Sequence, residues 1–129
     1  MGFPSRGASE LAAEHLHELY ATGWLVERVA AHLETTPARI RRRLMNRTLL
    51  QLPDQEVLYA FQFTARGVVP GWAHVAGVMP LDLTPLEIVG FVTTPQSDLG
   101  RATPLEWLLA GKPSRQVALI AAQLRDEGH

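Results

Sequence analysis

The chain has 129 residues, 47% of them hydrophobic, and a formal net charge of −1, which describes a globular protein able to bury its own core. It has no cysteine, which excludes disulfides, zinc–thiolate and iron–sulfur centres and a thiol nucleophile. No apolar run approaches the ~18 residues of a membrane span, and the opening MGFPSRGASE lacks the basic and apolar regions of a secretory signal. A cytoplasmic chain without membrane contact is therefore expected.

In chain order, SELAAEHLHELYATG (9–23) spaces Leu11, Leu16, Leu19 and Tyr20 as an amphipathic helix. WLVERVAAHLE (24–34) puts Leu25, Val26, Val29, Ala30 and Leu33 on one helical stripe. After a short break, PARIRRRLMN (37–46) sets Ile40 and Leu44 one turn apart. Two short helices across a tight turn, the first apolar and the second basic, match a helix-turn-helix. RTLLQL (47–52) and EVLYAFQF (56–63) then read as two strands of a small wing joined by PDQ. In the second strand Tyr59, Phe61 and Phe63 alternate with Leu58, Ala60 and Gln62 and share one face. A base-stacking platform would use such rings, but no positive charge lies within the strand, so core packing is the expected use.

The remaining segments read as helices. VPGWAHVAGVM (69–79) has Pro70 near its start, and TPLEIVGFV (84–92) and TPLEWLLAG (103–111) each begin with a capping box, the second closing at Gly111. KPSRQVALIAAQLRDEG (112–128) aligns Val117, Ile120, Ala121 and Leu124. The expected fold class is mainly α: a helix-turn-helix with a small β-hairpin wing, followed by a C-terminal helical bundle. The expected division is a DNA-binding half over 1–66 and a helical, protein-binding half over 67–129. With no linker rich in Pro, Gly or Ser between them, they form one compact body.

Charge is distributed unevenly. Residues 1–34 hold five acids and two arginines, residues 35–52 hold five arginines and no acid, and residues 53–129 hold five bases and eight acids. A basic island between acidic flanks is either a solvated arginine face paired with Glu27 or Glu34, or a nucleic-acid surface. Helix capping favours the second. At 36–39 the Thr-Pro start that opens both TPLE helices recurs, with Arg39 in place of the glutamate. A cation in the first turn opposes the helix dipole by roughly 0.3–1 kcal/mol, a cost that makes sense where the helix start meets an anionic duplex. With Ile40 and Leu44 inward, Ala38, Arg39, Arg42 and Asn46 share the outward face and are the candidates to read base edges. Thr36, Arg41, Arg43 and Arg47 flank it and suit phosphates of double-stranded DNA. One such helix offers only about three or four base contacts, so a homodimer on an inverted repeat is expected. The apolar faces of 9–23 (Leu11, Leu16, Leu19, Tyr20) and of the last helix (Val117, Ile120, Leu124) are the candidate interfaces.

No catalytic, metal or cofactor site is expected. His15 and His17 project from different helix faces, and His32 and His74 stand alone. Ser97-Asp98 has no histidine nearby in sequence to complete a nucleophilic site. There is no phosphate loop or dinucleotide fingerprint. TTPQSDLGR (93–101) could hold a small ligand, but its residues are also those of an ordinary tight connection.

The stretch from Phe91 to Gln123 resembles the toxin-binding domain of the Xre/MbcA/ParS-type antitoxins at Thr94-Pro95, Leu99-Gly100, Thr103-Pro104-Leu105-Glu106 and Gly111-Lys112-Pro113. Gln96 and Ser97-Asp98 depart from it, standing where that family has Asn-Pro-Ala. YAFQF followed by VPGW is similar to a variant of these proteins with a short winged helix-turn-helix, a plan shared by mycobacterial winged-helix DNA-binding proteins. The resemblance spans about residues 24–129. It implies a DNA-binding antitoxin of a type II toxin–antitoxin pair that neutralises a RES-domain toxin and represses its own operon, with toxin-binding residues left unassigned. The alternative is a stand-alone winged-helix transcriptional or chromosome-associated DNA-binding protein. A third reading is a protein-interaction module whose helix-turn-helix no longer meets DNA.

Overall fold

Short helices account for most of the chain, and every strand among the described residues is two residues long. The computed structural model describes residues 8–124. In order these form α1 (Ala8–Thr22), β1 (Trp24–Leu25), α2 (Val26–His32), α3 (Pro37–Met45), β2 (Val57–Leu58), a 3-10 turn at Ala60–Gln62, β3 (Phe63–Thr64), β4 (Gly67–Val68), α4 (Trp72–Val78), α5 (Pro85–Thr93), a second 3-10 turn at Ser97–Leu99, α6 (Pro104–Leu109) and α7 (Ser114–Ala122). The fold is mainly α, with a helix-turn-helix and small antiparallel pairings, as the sequence indicates. None of these helices is long and apolar enough to cross a membrane.

Both TPLE starts carry complete capping boxes. The hydroxyls of Thr84 and Thr103 accept from the backbone N–H of Glu87 and Glu106, whose carboxylates accept from the threonine N–H in return. Gly111 adopts the left-handed conformation that closes α6, its N–H donating to the Leu108 carbonyl and that of Lys112 to Trp107.

Three expectations fail at the wing. The helix foreseen over 24–34 starts only at Val26, because Trp24 and Leu25 pair antiparallel with Leu58 and Val57, leaving Leu25 exposed. The hairpin foreseen over 47–63 shrinks to a bridge between Gln51 and Leu58 and a Leu52 N–H donated to the Val57 carbonyl, around the turn Pro53–Glu56. β2 thus lies between β1 and Gln51, the strand order of a winged helix with a very short wing. The chain then leaves the strand, so the three aromatics do not share a face. Tyr59 is buried, Phe61 meets the Trp72 ring edge-on at 5.0 Å, and Phe63 stacks on Trp24 at 4.8 Å. All three pack against the core, and β3 and β4 form a second hairpin tipped by Ala65-Arg66.

The reason for the break is Gln62. A strand would have placed it with Leu58 and Ala60; instead it is fully buried and its side chain makes four hydrogen bonds. Its Oε1 accepts from the Leu50 N–H (2.6 Å) and the Trp72 Nε1–H (2.7 Å), and its Nε2 donates to the carbonyls of Leu50 (2.8 Å) and Tyr59 (3.1 Å). These bonds join the segment after α3, the 3-10 turn and α4, and a straight strand could not reach all of them.

A single apolar cluster runs from Val26, Val29 and Ile40 through Leu49, Leu52 and Leu58 to Trp72, Val75, Val117 and Ala121. Within it α4 packs chiefly on α7, at a spacing tight enough that a Cβ on Gly71 (φ 74°) would lie 2.7 Å from that of Ser114. This cluster takes up side chains foreseen for a dimer interface. Val117 is fully buried, Leu19, Tyr20, Ile120 and Leu124 are half-buried against it, and the Tyr20 hydroxyl donates to the Pro53 carbonyl. Leu16 is half-buried, while the side chain of Leu11 and residues 125–128, foreseen as the end of the last helix, lie outside the described residues; within them that helix ends at Ala122.

Candidate nucleic-acid interface

The turn between α2 and α3 is closed by the backbone. Glu34 N–H donates to Ala31 O and Thr35 N–H to Ala30 O, the paired bonds of a Schellman motif with Glu34 left-handed at φ 56°. Thr36 then caps α3, its hydroxyl accepting from the Arg39 N–H at 3.3 Å. Thr36 is exposed, with its oxygen already engaged in the cap. Ile40 is completely buried and Leu44 half-buried, which seats the helix on the core and turns its other side outward.

Ala38, Arg39, Arg42 and Asn46 are all exposed, so the four residues expected to read bases do share an accessible face. Arg39, Arg42 and Arg43 line a shallow depression of about 420 Å³ with Leu33 and Thr35. Among the described residues neither Arg39 nor Arg42 has an acidic partner.

The flanking arginines differ. Arg41 is bound fork-to-fork by Glu56 of the Pro53–Glu56 turn, Nε to Oε2 at 2.8 Å and Nη2 to Oε1 at 3.1 Å, with Glu27 a further 3.8 Å away. The hydrogen bond and the opposite charge hold the Glu56 carboxyl below its usual value. Arg43 donates from Nε to the Thr48 hydroxyl (3.1 Å), and partial burial lowers its guanidinium from the usual value. Arg47 is turned inward. It occupies the left-handed position after α3 (φ 58°), where Arg47 N–H bonds Leu44 O and Thr48 N–H bonds Arg43 O in a second Schellman closure. From there its Nη2 reaches the carbonyls of Met79 (3.2 Å) and Ala76 (3.5 Å) at the end of α4. A cation there suits the helix dipole, so Arg47, foreseen as a phosphate contact, ties α3 to α4 instead.

Sequence reasoning anticipated Glu27 but missed Glu56, the closer partner; an acid just past a two-strand turn next to the island was the available signal. It also missed the β3–β4 hairpin, which His32 anchors to α2 by donating from Nε2 to the Thr64 carbonyl at 2.7 Å. Gly67, at its end, lies beside Leu33, which places exposed Arg66 at the tip of a hairpin flanking the α2–α3 turn. Of the other histidines, His74 shares a 3.0 Å hydrogen bond with Ser114. No group of three potential metal ligands occurs among the described residues.

The residues that carry the antitoxin resemblance fold the C-terminal segment. Leu99 and Pro104 are buried, and the loop before α6 closes on itself through Gln96 N–H to Ala102 O and Arg101 N–H to Gln96 O. Trp107 donates from Nε1 to the Pro113 carbonyl at 2.8 Å, and the Lys112 ammonium lies 4.7 Å from the centre of its ring.

No known family model matches the chain, and no curated protein matches it. Among solved structures, the NMR structure of Rv2175c is similar, with a TM-score of 0.57 over 79% of this chain and 80% of that one. At 21% identity the likeness is one of fold.

Proposed function

We propose that this chain is a DNA-binding protein that sets the outward face of α3 into the major groove of a duplex. The observation that carries the proposal is the pair of exposed arginines, Arg39 and Arg42, without acidic partners among the described residues, on a helix whose opposite side is locked into the core by Ile40. The dipole suits Arg42, which lies in the last turn of α3, but folding alone gives no reason for Arg39 in the first turn, where the dipole disfavours a cation. A guanine edge, with two acceptors spaced for one guanidinium, does. Ala38 and Asn46 complete the face, the first by apolar contact with a thymine methyl and the second by its amide. Arg43, beside them in the same depression, supplies a phosphate contact.

Within this proposal the finer role is that of an antitoxin that binds a RES-domain toxin and represses its own operon as a homodimer. The stand-alone DNA-binding protein is the alternative. Antitoxin function draws on the pattern in 91–123, whose residues also have evident roles in folding. Co-purification with a RES-domain protein from a two-gene expression vector separates these roles.

DNA binding itself is tested by fluorescence anisotropy on a selected site and on mixed-sequence duplex. Arg39→Ala and Arg42→Ala are each expected to reduce the preference for the selected site by about 1–3 kcal/mol. Equal losses on both duplexes, or no salt-dependent binding by the parent protein, refute α3 as a recognition helix.

A further inference from the structure

If the chain binds DNA through α3, a premise on which this inference rests, the wing turn holds a carboxylate where a phosphate would go. Among the described residues Arg41 is the one cation of α3 gripped by an acid through both arms of its fork, and that acid, Glu56, comes from a different element. Both side chains are about half exposed, 46% for Arg41 and 52% for Glu56. The bidentate geometry lets even this exposed pair contribute to folding, but its accessibility keeps that contribution small enough for the guanidinium to be exchanged to another partner.

Chemical likeness points to that partner. A carboxylate bound side-on by Nε and Nη2 presents two oxygens to the guanidinium in the way a phosphodiester does. Arg41, Gln51 and Glu56 also line, with Leu44 and exposed Met45, a depression of about 250 Å³ at the flank of α3. Without Glu56 on it, the Arg41 fork would be the charged group left to meet a phosphate in this depression. With Glu56 in place, its charge repels the approaching backbone.

We propose that Glu56 is a built-in competitor of the DNA phosphate, so that binding proceeds by exchange of the Arg41 guanidinium from Glu56 to the duplex backbone. The exchange leaves base reading by Arg39 and Arg42 untouched. It weakens attachment to every sequence alike, and so raises the share of total affinity that the base contacts must supply.

The test compares Glu56→Gln with Asp54→Asn, which removes one negative charge from the same turn without touching Arg41. Asparagine tolerates the left-handed backbone of Asp54 (φ 65°). Affinity for a fluorescein-labelled mixed-sequence duplex is measured against salt. Glu56→Gln is expected to bind roughly two- to fivefold tighter than the parent, the range of an exposed ion pair. Because Arg41 reaches the phosphate in both proteins once the exchange is complete, the number of phosphate contacts, and with it the log–log salt slope, should stay the same. Asp54→Asn should change affinity by less and leave the slope alone. In an Arg41→Ala background Glu56→Gln should lose most of its effect. Equal effects of Glu56→Gln and Asp54→Asn, or an undiminished effect without Arg41, overturn the competitor role while leaving DNA binding standing. Absence of binding by the parent and all variants overturns both.

Discussion

Replacing Gln62 by leucine keeps the shape of a fully buried side chain and removes four hydrogen bonds. The Tyr59 carbonyl keeps a bond from the Gln62 backbone N–H at 3.4 Å. The Leu50 N–H, the Leu50 carbonyl and the Trp72 Nε1–H lose a partner in the interior. Each buried orphan costs about 1–3 kcal/mol. With partial relaxation the three are expected to sum to roughly 3–5 kcal/mol, a large share of the ~5–15 kcal/mol that holds a domain together. Urea unfolding followed by circular dichroism should show a large fall in midpoint at unchanged slope. Trp72→Phe removes one donor and leaves Gln62 its other three bonds, so it should cost less. The double variant should fall short of the sum by about 1 kcal/mol, because the orphaned indole is then absent. A Gln62→Leu protein within about 1 kcal/mol of the parent would refute the claim that this side chain joins the segment after α3 to the 3-10 turn and α4.

Two more outcomes come from the backbone and from burial. Glu34→Gly should raise the melting temperature by a few degrees, since a side chain in the left-handed region costs about 1–2 kcal/mol and glycine returns somewhat less than that in unfolded-state entropy; an unchanged or lower melting temperature argues against strain at that turn. Burial pushes the Tyr59 hydroxyl well above its ordinary value. The folded chain therefore keeps a proton that the unfolded chain releases near pH ~10, and stability should fall as pH rises beyond that point. In a Tyr20→Phe variant, which isolates Tyr59, phenolate absorbance should appear together with loss of helical circular dichroism; absorbance rising first in an intact fold would contradict the burial.

Helix starts were legible because their chemistry is local. Thr84, Thr103 and Thr36 each precede a proline, and the identity of the third helical residue distinguishes two completed capping boxes from a half-capped start. The outward arginines were legible from helical spacing once Ile40 was taken as the inward residue. Helix ends were harder to see. Left-handed closures at Glu34 and Arg47 use residues that carry no glycine signal, and the second of these aims its side chain at α4, more than twenty residues later in the chain. The aromatics after Leu58 misled for the opposite reason. Their alternation is real, but a buried amide with partners in three segments outweighed the preference for a regular strand, and no local pattern announces a partner such as Trp72 or Leu50.

The basic island therefore carries less free charge than its composition suggests. Of five arginines, Arg47 is committed to the end of α4, Arg43 shares its fork with Thr48, and Arg41 is held by Glu56 and Glu27. Among the described residues only Arg39 and Arg42 have no such engagement, and these two are the proposed base readers. If α3 meets DNA as proposed, a single copy thus begins with few phosphate contacts, and since each such contact supplies about 0.9 of the salt slope, its sequence-independent attraction is small. Weak general attraction beside intact base reading favours discrimination over affinity. Affinity must then be recovered either by releasing Arg41 from Glu56 or by setting a second copy on an adjacent half-site. The helix faces expected to pair two copies are largely spent on the core, Val117 completely. A second copy would accordingly be held by the duplex and by side chains that remain exposed, such as Met45 and Leu25 near the wing, rather than by an apolar helix face.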